Sequence, residues 1–223
     1  MLGGTDWRLT SFYCQEMNDL VRRRLGESHS AKMLVYNPDA AELVALQGKG
    51  QWREIGHLLT EAAKRLVGAG ADFLMICNQA LHIVAEQLNA AVPAPFLHMG
   101  EAIGERLCQD GIHCAWMLGT AFAVEQALLR QRLADSFSID LLLPDAAVTL
   151  AIHDLSGRGE TGLTLESKGR LVAIFDGFRT QGAEALLLDG RRIDRPTWQS
   201  AWPLPIYDTV SLHAEAAARW LLA

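Results

Sequence analysis

Apolar residues fall along this chain in two alternating patterns, short continuous runs and longer stretches at helical spacing. The clearest run is Phe73-Leu74-Met75-Ile76, four apolar residues in succession, as in a strand covered on both faces. Small polar residues Cys77-Asn78-Gln79 follow it, and from Ala80 the set Leu81, Val84, Ala85 and Leu88 recurs at helical spacing. Polar residues where a buried strand gives way to a helix sit at the carboxyl edge of an open α/β sheet, where such sheets bind ligands.

The same alternation runs along the whole chain. Met1-Leu2 and Gly3-Gly4 read as the end of a first strand and its turn, with two apolar residues being few for a buried strand: either the strand is clipped or the recorded start is late. Thr10 is expected to cap a helix carrying Tyr13, Met17, Leu20 and Val21 on one face and ending at Gly26. Ala31 to Tyr36 reads as a strand, and the residues around Gln47 as a loop. From Trp52, the set Ile55, Leu58, Leu59, Ala62, Ala63, Leu66 and Val67 predicts an amphipathic helix closed by Gly68 and Gly70. After Pro93 and Pro95 comes a short strand, Phe96-Leu97-His98.

A second round then begins. It predicts a helix over Ile103 to Leu107, a strand Cys114 to Leu118 ending at Gly119-Thr120, and a helix from Phe122 to Leu133. A strand from Ile139 to Leu143 stops at Pro144, and glycines mark a loop at 156–162. A helix from Leu165 to Gln181 is expected to face Leu171, Val172, Phe175 and Phe178 inward. Strands Ala185 to Leu188 and Leu204 to Tyr207 follow, and a last helix starts at Asp208-Thr209. Two such rounds predict an α/β fold of two similar lobes, with mostly parallel sheets flanked by helices and strand ends facing one another across a cleft. Residues 1–100, completed by the helix at 208–223, form the first lobe, and residues 101–207 form the second. The corresponding turns are Ile76-Cys77-Asn78 and Leu188-Asp189-Gly190.

Composition narrows the function classes. With 223 residues and a formal charge of -6, the chain suits two lobes, and its lack of a Lys/Arg run argues against nucleic acid or anionic membrane as partner. No apolar run approaches the roughly 20 residues that span a bilayer, and the N-terminus lacks a basic and apolar leader. A cytoplasmic location is the default expectation. Cys14, Cys77, Cys108 and Cys114 are scattered, without CxxC or metal-ligand spacing.

LGGTDW, HSAKMLVYNPD, GKGQW, ICNQALH, PFLHMGEAIG, MLGT and PIYDTVSLHAEAA occur in this order along essentially the whole chain. In these segments the sequence resembles the aspartate/glutamate racemase family, racemases that use two cysteines and no pyridoxal phosphate. The resemblance implies two lobes related by a pseudo-twofold axis, a small acidic amino acid or related carboxylate bound between them, no cofactor, and a homodimer. It also implies that one thiolate takes the α-proton while the opposite thiol delivers one to the other face.

The chain departs from that pattern where the chemistry would be done. Aligned on His82, the first cysteine position of C-N-T-x-H is Asn78, followed by Gln79 and Ala80, with Cys77 one residue early. A one-residue offset at a strand end turns a side chain to the other face. Counted back from PIYD, the G-C-T-E positions are Asp189, Gly190, Arg191 and Arg192, so the second cysteine position has no side chain. Two-thiol racemisation is therefore not expected. The resemblance adds Gln47 and Thr120 near the substrate; each also has a plain structural reading, as a loop side chain and a helix cap respectively. Arg191 and Arg192 would suit a carboxylate or phosphate. His82 and His213 each begin a helix, and the adjacent His153 and Asp154 point in different directions if helical. Three readings stand: a carboxylate-binding pseudoenzyme, a different reaction such as decarboxylation on the same fold, or a racemase using an atypical base, Cys77 or His82.

Overall fold

In the computed structural model, residues 1–118, 123–145, 148, 165–189 and 204–223 are described. The chain divides into two compact units, Met1–Ala102 with Val210–Ala223, and Ile103–Thr209. Both are α/β, with parallel strands flanked by helices.

In the first unit, α1 spans Trp7–Leu25. Its cap is Asp6, whose carboxylate accepts from Arg8 N–H at 3.0 Å, and not Thr10. Thr10 lies inside the helix, buried, with its hydroxyl donating to Asn37 Oδ1 at 3.0 Å. Asp6 wins because its carboxylate reaches a free first-turn N–H at the chain's entry to the helix. Gly26, at φ +111°, ends α1, and Arg22, Arg23 and Arg24 stand in its negative last turn.

Helix α2, Ala40–Gly48, replaces the expected loop around Gln47. Asp39 caps it, with Oδ1 accepting from Ala41 N–H at 3.1 Å. Only Leu43 is buried along its nine residues, too little apolar periodicity to show in the pattern. Helix α3, Trp52–Gly68, buries Ile55, Leu59, Ala62, Ala63 and Leu66 as one stripe. After the third strand the chain makes a 3₁₀ turn, Ala80–Val84, before α4, Ala85–Ala91. Helix α5 runs over Met99–Gln109, four residues earlier than its apolar spacing suggests.

The four expected strands of this unit are extended segments joined by isolated parallel bridges, in the order Tyr36, Leu2, Ile76, with Phe96 outside Leu74. Met1-Leu2 offers one paired residue, so no long ladder forms. Main-chain bonds still hold the register: Leu2 N–H to Met75 O and Cys77 N–H to Leu2 O, both 2.8 Å, and Leu74 N–H to Pro95 O at 2.9 Å. Leu2, Leu74 and Ile76 pack with Leu43, Ile55, Leu59, Leu81 and Leu88 in one core.

The second unit carries four parallel strands: β1 Cys114–Leu118, β2 Asp140–Leu142, β3 Ala185–Leu188 and β4 Ile206–Asp208, in the order β2-β1-β3-β4. Its helices include α6, Ala123–Phe137, and α7, Leu165–Thr180; α8, Thr209–Leu221, follows β4. Trp116 stacks on Phe178 at 3.9 Å and meets Phe175 edge-on at 5.5 Å. Phe175 and Phe178 are buried as expected, whereas Val172 is 38% exposed, because it lies on the solvent side of the stripe those two rings define.

The two units share one strand order. In each, the first strand lies between the second and the third, with the fourth outside the third. The sequence repeats with it: Met1-Leu2-Gly3-Gly4 against Met117-Leu118-Gly119-Thr120, and Pro95-Phe96-Leu97-His98-Met99 against Pro205-Ile206-Tyr207-Asp208-Thr209. The bonds correspond residue by residue. Asp189 N–H reaches Leu118 O at 2.8 Å and Leu186 N–H reaches Pro205 O at 2.9 Å, so Leu74 to Cys77 matches Leu186 to Asp189.

Candidate functional site

A parallel sheet of this order has its switch point between the first and third strands, where neighbouring connections leave on opposite faces and open a crevice at the carboxyl edge. In the first unit that edge is built from Gly3-Gly4-Thr5 after strand one and Cys77-Asn78-Gln79 after strand three. The two turns touch. A Cβ on Gly4 would lie 2.4 Å from Asn78 Cβ, so only glycine admits the asparagine. Asn78 Nδ2–H donates to Thr5 Oγ1 at 3.0 Å, and Asn78 Oδ1 accepts from Leu81 N–H at 3.2 Å, which fixes the amide orientation.

Cys77 points the other way. It is fully buried, and burial pushes its thiol up to about 12, outweighing the opposing pull of the N-terminal ammonium. A thiol so placed is not ionised near neutral pH. Cys14, half-buried on α1, is also raised by burial.

His82 stands on the 3₁₀ turn with Nδ1 at 2.9 Å from Asn78 O, while Met99 N–H donates to its Nε2 at 3.2 Å. Its ring meets His98 edge-on at 4.6 Å and His213 at 5.5 Å. His213, on α8, is completely buried: its Nε2 donates to Leu97 O at 3.1 Å and its Nδ1 accepts from Tyr13 O–H at 3.0 Å. Burial, with the neighbouring His82 second, pushes His213 down to about 3, so it is neutral at physiological pH.

Of the residues singled out in the sequence, Cys77, Asn78, Gln79, Ala80 and His82 come together at this edge by adjacency. Gln47 is half-buried in the last turn of α2, its carbonyl accepting from Gly50 N–H at 2.9 Å. Thr120, Gly190, Arg191, Arg192, the His153-Asp154 pair and the 156–162 loop lie outside the described residues. The sequence reasoning passed over Gly4, Thr5 and His98. The signal for the first two was available, as small residues directly after strand one at a switch point. The role of His98 depends on where α5 begins.

In the second unit the corresponding edge carries Asp189, half-buried, whose Oδ1 accepts from the Thr209 hydroxyl at 3.2 Å. Among the described residues no group of three or more His, Cys, Asp or Glu side chains could hold a metal ion. Among them, too, no helix is long and apolar enough to cross a membrane.

The Asp/Glu/Hydantoin racemase family profile matches residues 2–217. Solved structures of similar fold include a provisionally named Asp/Glu racemase from Yersinia pestis, 30% identical, covering 100% of this chain and 99% of that one at TM-score 0.89. An aspartate racemase homologue from Pyrococcus horikoshii OT3 shares the fold at 18% identity, covering 100% and 99%, with TM-score 0.81. A glutamate racemase isoform from Bacillus anthracis shares it at 12% identity, covering 99% and 80%, with TM-score 0.63.

Proposed function

Because the chain belongs to the Asp/Glu/Hydantoin racemase family, we propose that it binds a small acidic amino acid or related carboxylate but does not racemise it by the two-thiol route. The observation that carries this reading is the end of the third strand in the first lobe. Removing an α-proton needs a base within reach that can take it. The residue at the strand end is Asn78, an amide that neither gives nor takes a proton near neutral pH, tied on both sides to Thr5 and Leu81.

The neighbouring candidates fare no better. Cys77 is buried, with its thiol held protonated. His82 has a backbone group against each ring nitrogen. In the second lobe the corresponding residue, Gly190, has no side chain by its identity alone. Thr5, Asn78 and Gln79 keep a polar edge suited to orienting a ligand. Thr120, Arg191 and Arg192 supply a hydroxyl and guanidinium groups of the kind that grip carboxylates. In this reading the protein is a receptor or sensor built on an enzyme fold.

The test is α-proton exchange in D2O with each enantiomer of aspartate and glutamate, followed by NMR beside thermal denaturation. The expected outcome is no exchange above the protein-free control, with a raised Tm for at least one of the four, since a ligand at 100-fold its Kd stabilises by about 2.7 kcal/mol. Exchange above control, abolished by Cys77→Ser or His82→Gln, overturns the catalytic part. No exchange and no stabilisation overturns the choice of ligand.

A further inference from the structure

The first four N–H groups of any helix lack intrahelical acceptors, and in α5 the first two are met by imidazoles. Met99 N–H donates to His82 Nε2 at 3.2 Å, and Gly100 N–H to His98 Nδ1 at 2.9 Å. Glu101 and Ala102 N–H reach the His98 carbonyl at 3.0 and 3.3 Å. A backbone N–H only donates, so each of these ring nitrogens is a bare acceptor and the proton sits on the other. His82 therefore carries it on Nδ1 and donates to the Asn78 carbonyl at 2.9 Å. One ring thus joins the start of α5 to the end of the third strand, and the second ring packs edge-on against it at 4.6 Å.

A cap made of serine or asparagine works at any pH. A cap made of imidazole works only while the imidazole is neutral, and histidine is the side chain that changes charge near physiological pH. Protonation would turn each acceptor into a donor facing an N–H, and would put a cation at the positive end of the helix.

We propose that His82 and His98 form an acid-released latch on α5: neutral, the pair caps the start of the helix while His82 Nδ1–H holds the Asn78 carbonyl at the carboxyl edge of the third strand; protonated, the rings lose the Met99 and Gly100 N–H groups, and His82 keeps its bond to Asn78 alone, so the strand edge is uncoupled from the helix. His82 is in this sense a positioning residue. The proposal rests on the functional reading above only in taking the Asn78 edge as the ligand edge. His213 faces His82 from α8 and offers no countercharge, being neutral and bonded to Leu97 and Tyr13. Among the described residues, the carboxylates on the surrounding elements are Glu86 on α4, Glu101 and Glu105 on α5, and Glu215 on α8.

The test uses the full chain, labelled with 15N. Long-range 1H–15N spectra of the rings and amide exchange of Met99 and Gly100 are followed from pH 8 to pH 5. At pH 8, His82 should be the Nδ1–H tautomer and His98 the Nε2–H tautomer. As the rings protonate, the two amides should lose at least tenfold in protection beyond the intrinsic pH effect, while Leu59 and Ala62 in α3 keep theirs. His98→Asn should leave Gly100 capped, with protection that no longer changes with pH. His82→Gln, which keeps a donor and an acceptor, is read the same way at Met99. Either opposite tautomer, rings neutral down to pH 5, or amide protection unmoved through their titration overturns the latch. No ligand enters the measurement, so its failure leaves the ligand reading untouched.

Discussion

In the first lobe the third strand ends with Cys77 N–H on the Leu2 carbonyl at 2.8 Å; in the second it ends with Asp189 N–H on the Leu118 carbonyl at the same 2.8 Å. The backbones agree and the side chains do not. Cys77 is sealed in the core with its thiol raised to about 12, while Asp189 is half-buried and accepts from the Thr209 hydroxyl at 3.2 Å. The residues that follow trade places in size. The first lobe has Gly4 after strand one and Asn78 after strand three; the second has Thr120 and Gly190. A parallel edge is held by main-chain bonds, which fix where a side chain starts and are indifferent to what it is. The same backbone edge therefore accepts different side chains in the two lobes, and membership of the family specifies the scaffold more firmly than the reaction.

The sharpest way to break this comparison is Gly4→Ala. Its Cβ would sit 2.4 Å from Asn78 Cβ, and overpacking of this kind should cost about 2–3 kcal/mol, read as a lower urea midpoint at unchanged m. Adding Asn78→Gly should restore most of the loss, since it removes the Cβ that the new alanine would meet. A neutral Gly4→Ala, or a double variant that recovers nothing, would mean that the size exchange is not what the edge requires.

Acid response should separate the lobes next. His213 is pushed down to about 3 in the folded first lobe, whereas an unfolded imidazole titrates near 6.5. The unfolded chain binds the proton first, so this contribution is complete above about pH 6.5 and lost progressively as pH falls towards 3. By pH 5 the loss from this ring should be of order 2 kcal/mol. Urea midpoints at pH 7 and 5 check it: His213→Gln should be less stable at pH 7 yet show a shallower pH slope. An unchanged slope would remove His213 as the cause. Among the described residues the second lobe has only an exposed histidine, His113.

The smallest effect is expected from Thr209→Val, which keeps the buried shape and removes one hydrogen bond to Asp189. A loss of about 1–2 kcal/mol follows for a bond to a half-buried carboxylate. A change below the error of the midpoint would mean that solvent replaces the hydroxyl at Asp189.

Strands β1 and β3 are legible in the sequence to the residue, Cys114–Leu118 and Ala185–Leu188, because strands covered on both faces read as unbroken apolar runs between turn residues. The stripe of α3 is legible for the matching helical reason. Helix α2 is not, since a nine-residue helix with one buried side chain carries almost no period. Thr10 shows the limit of local reasoning about caps: a hydroxyl in the right neighbourhood was outcompeted by Asp6, four residues earlier. At the candidate site the succession Cys77-Asn78 at a strand end is visible in the letters, but the burial of Cys77 is not.

By itself the sequence determined the α/β alternation, the family, and the identities Asn78 and Gly190 at the two strand ends. These are properties of order and residue type, which need no third dimension. Only the tertiary structure decided that Asn78 is locked between Thr5 and Leu81, that Gly4 must be small, and that His82 and His98 cap α5. The contacts of Asn78 with Thr5 and Gly4, and of His82 with Met99, join different segments of the chain, and a hydrogen bond or a close approach between them exists only once folding has set the distance.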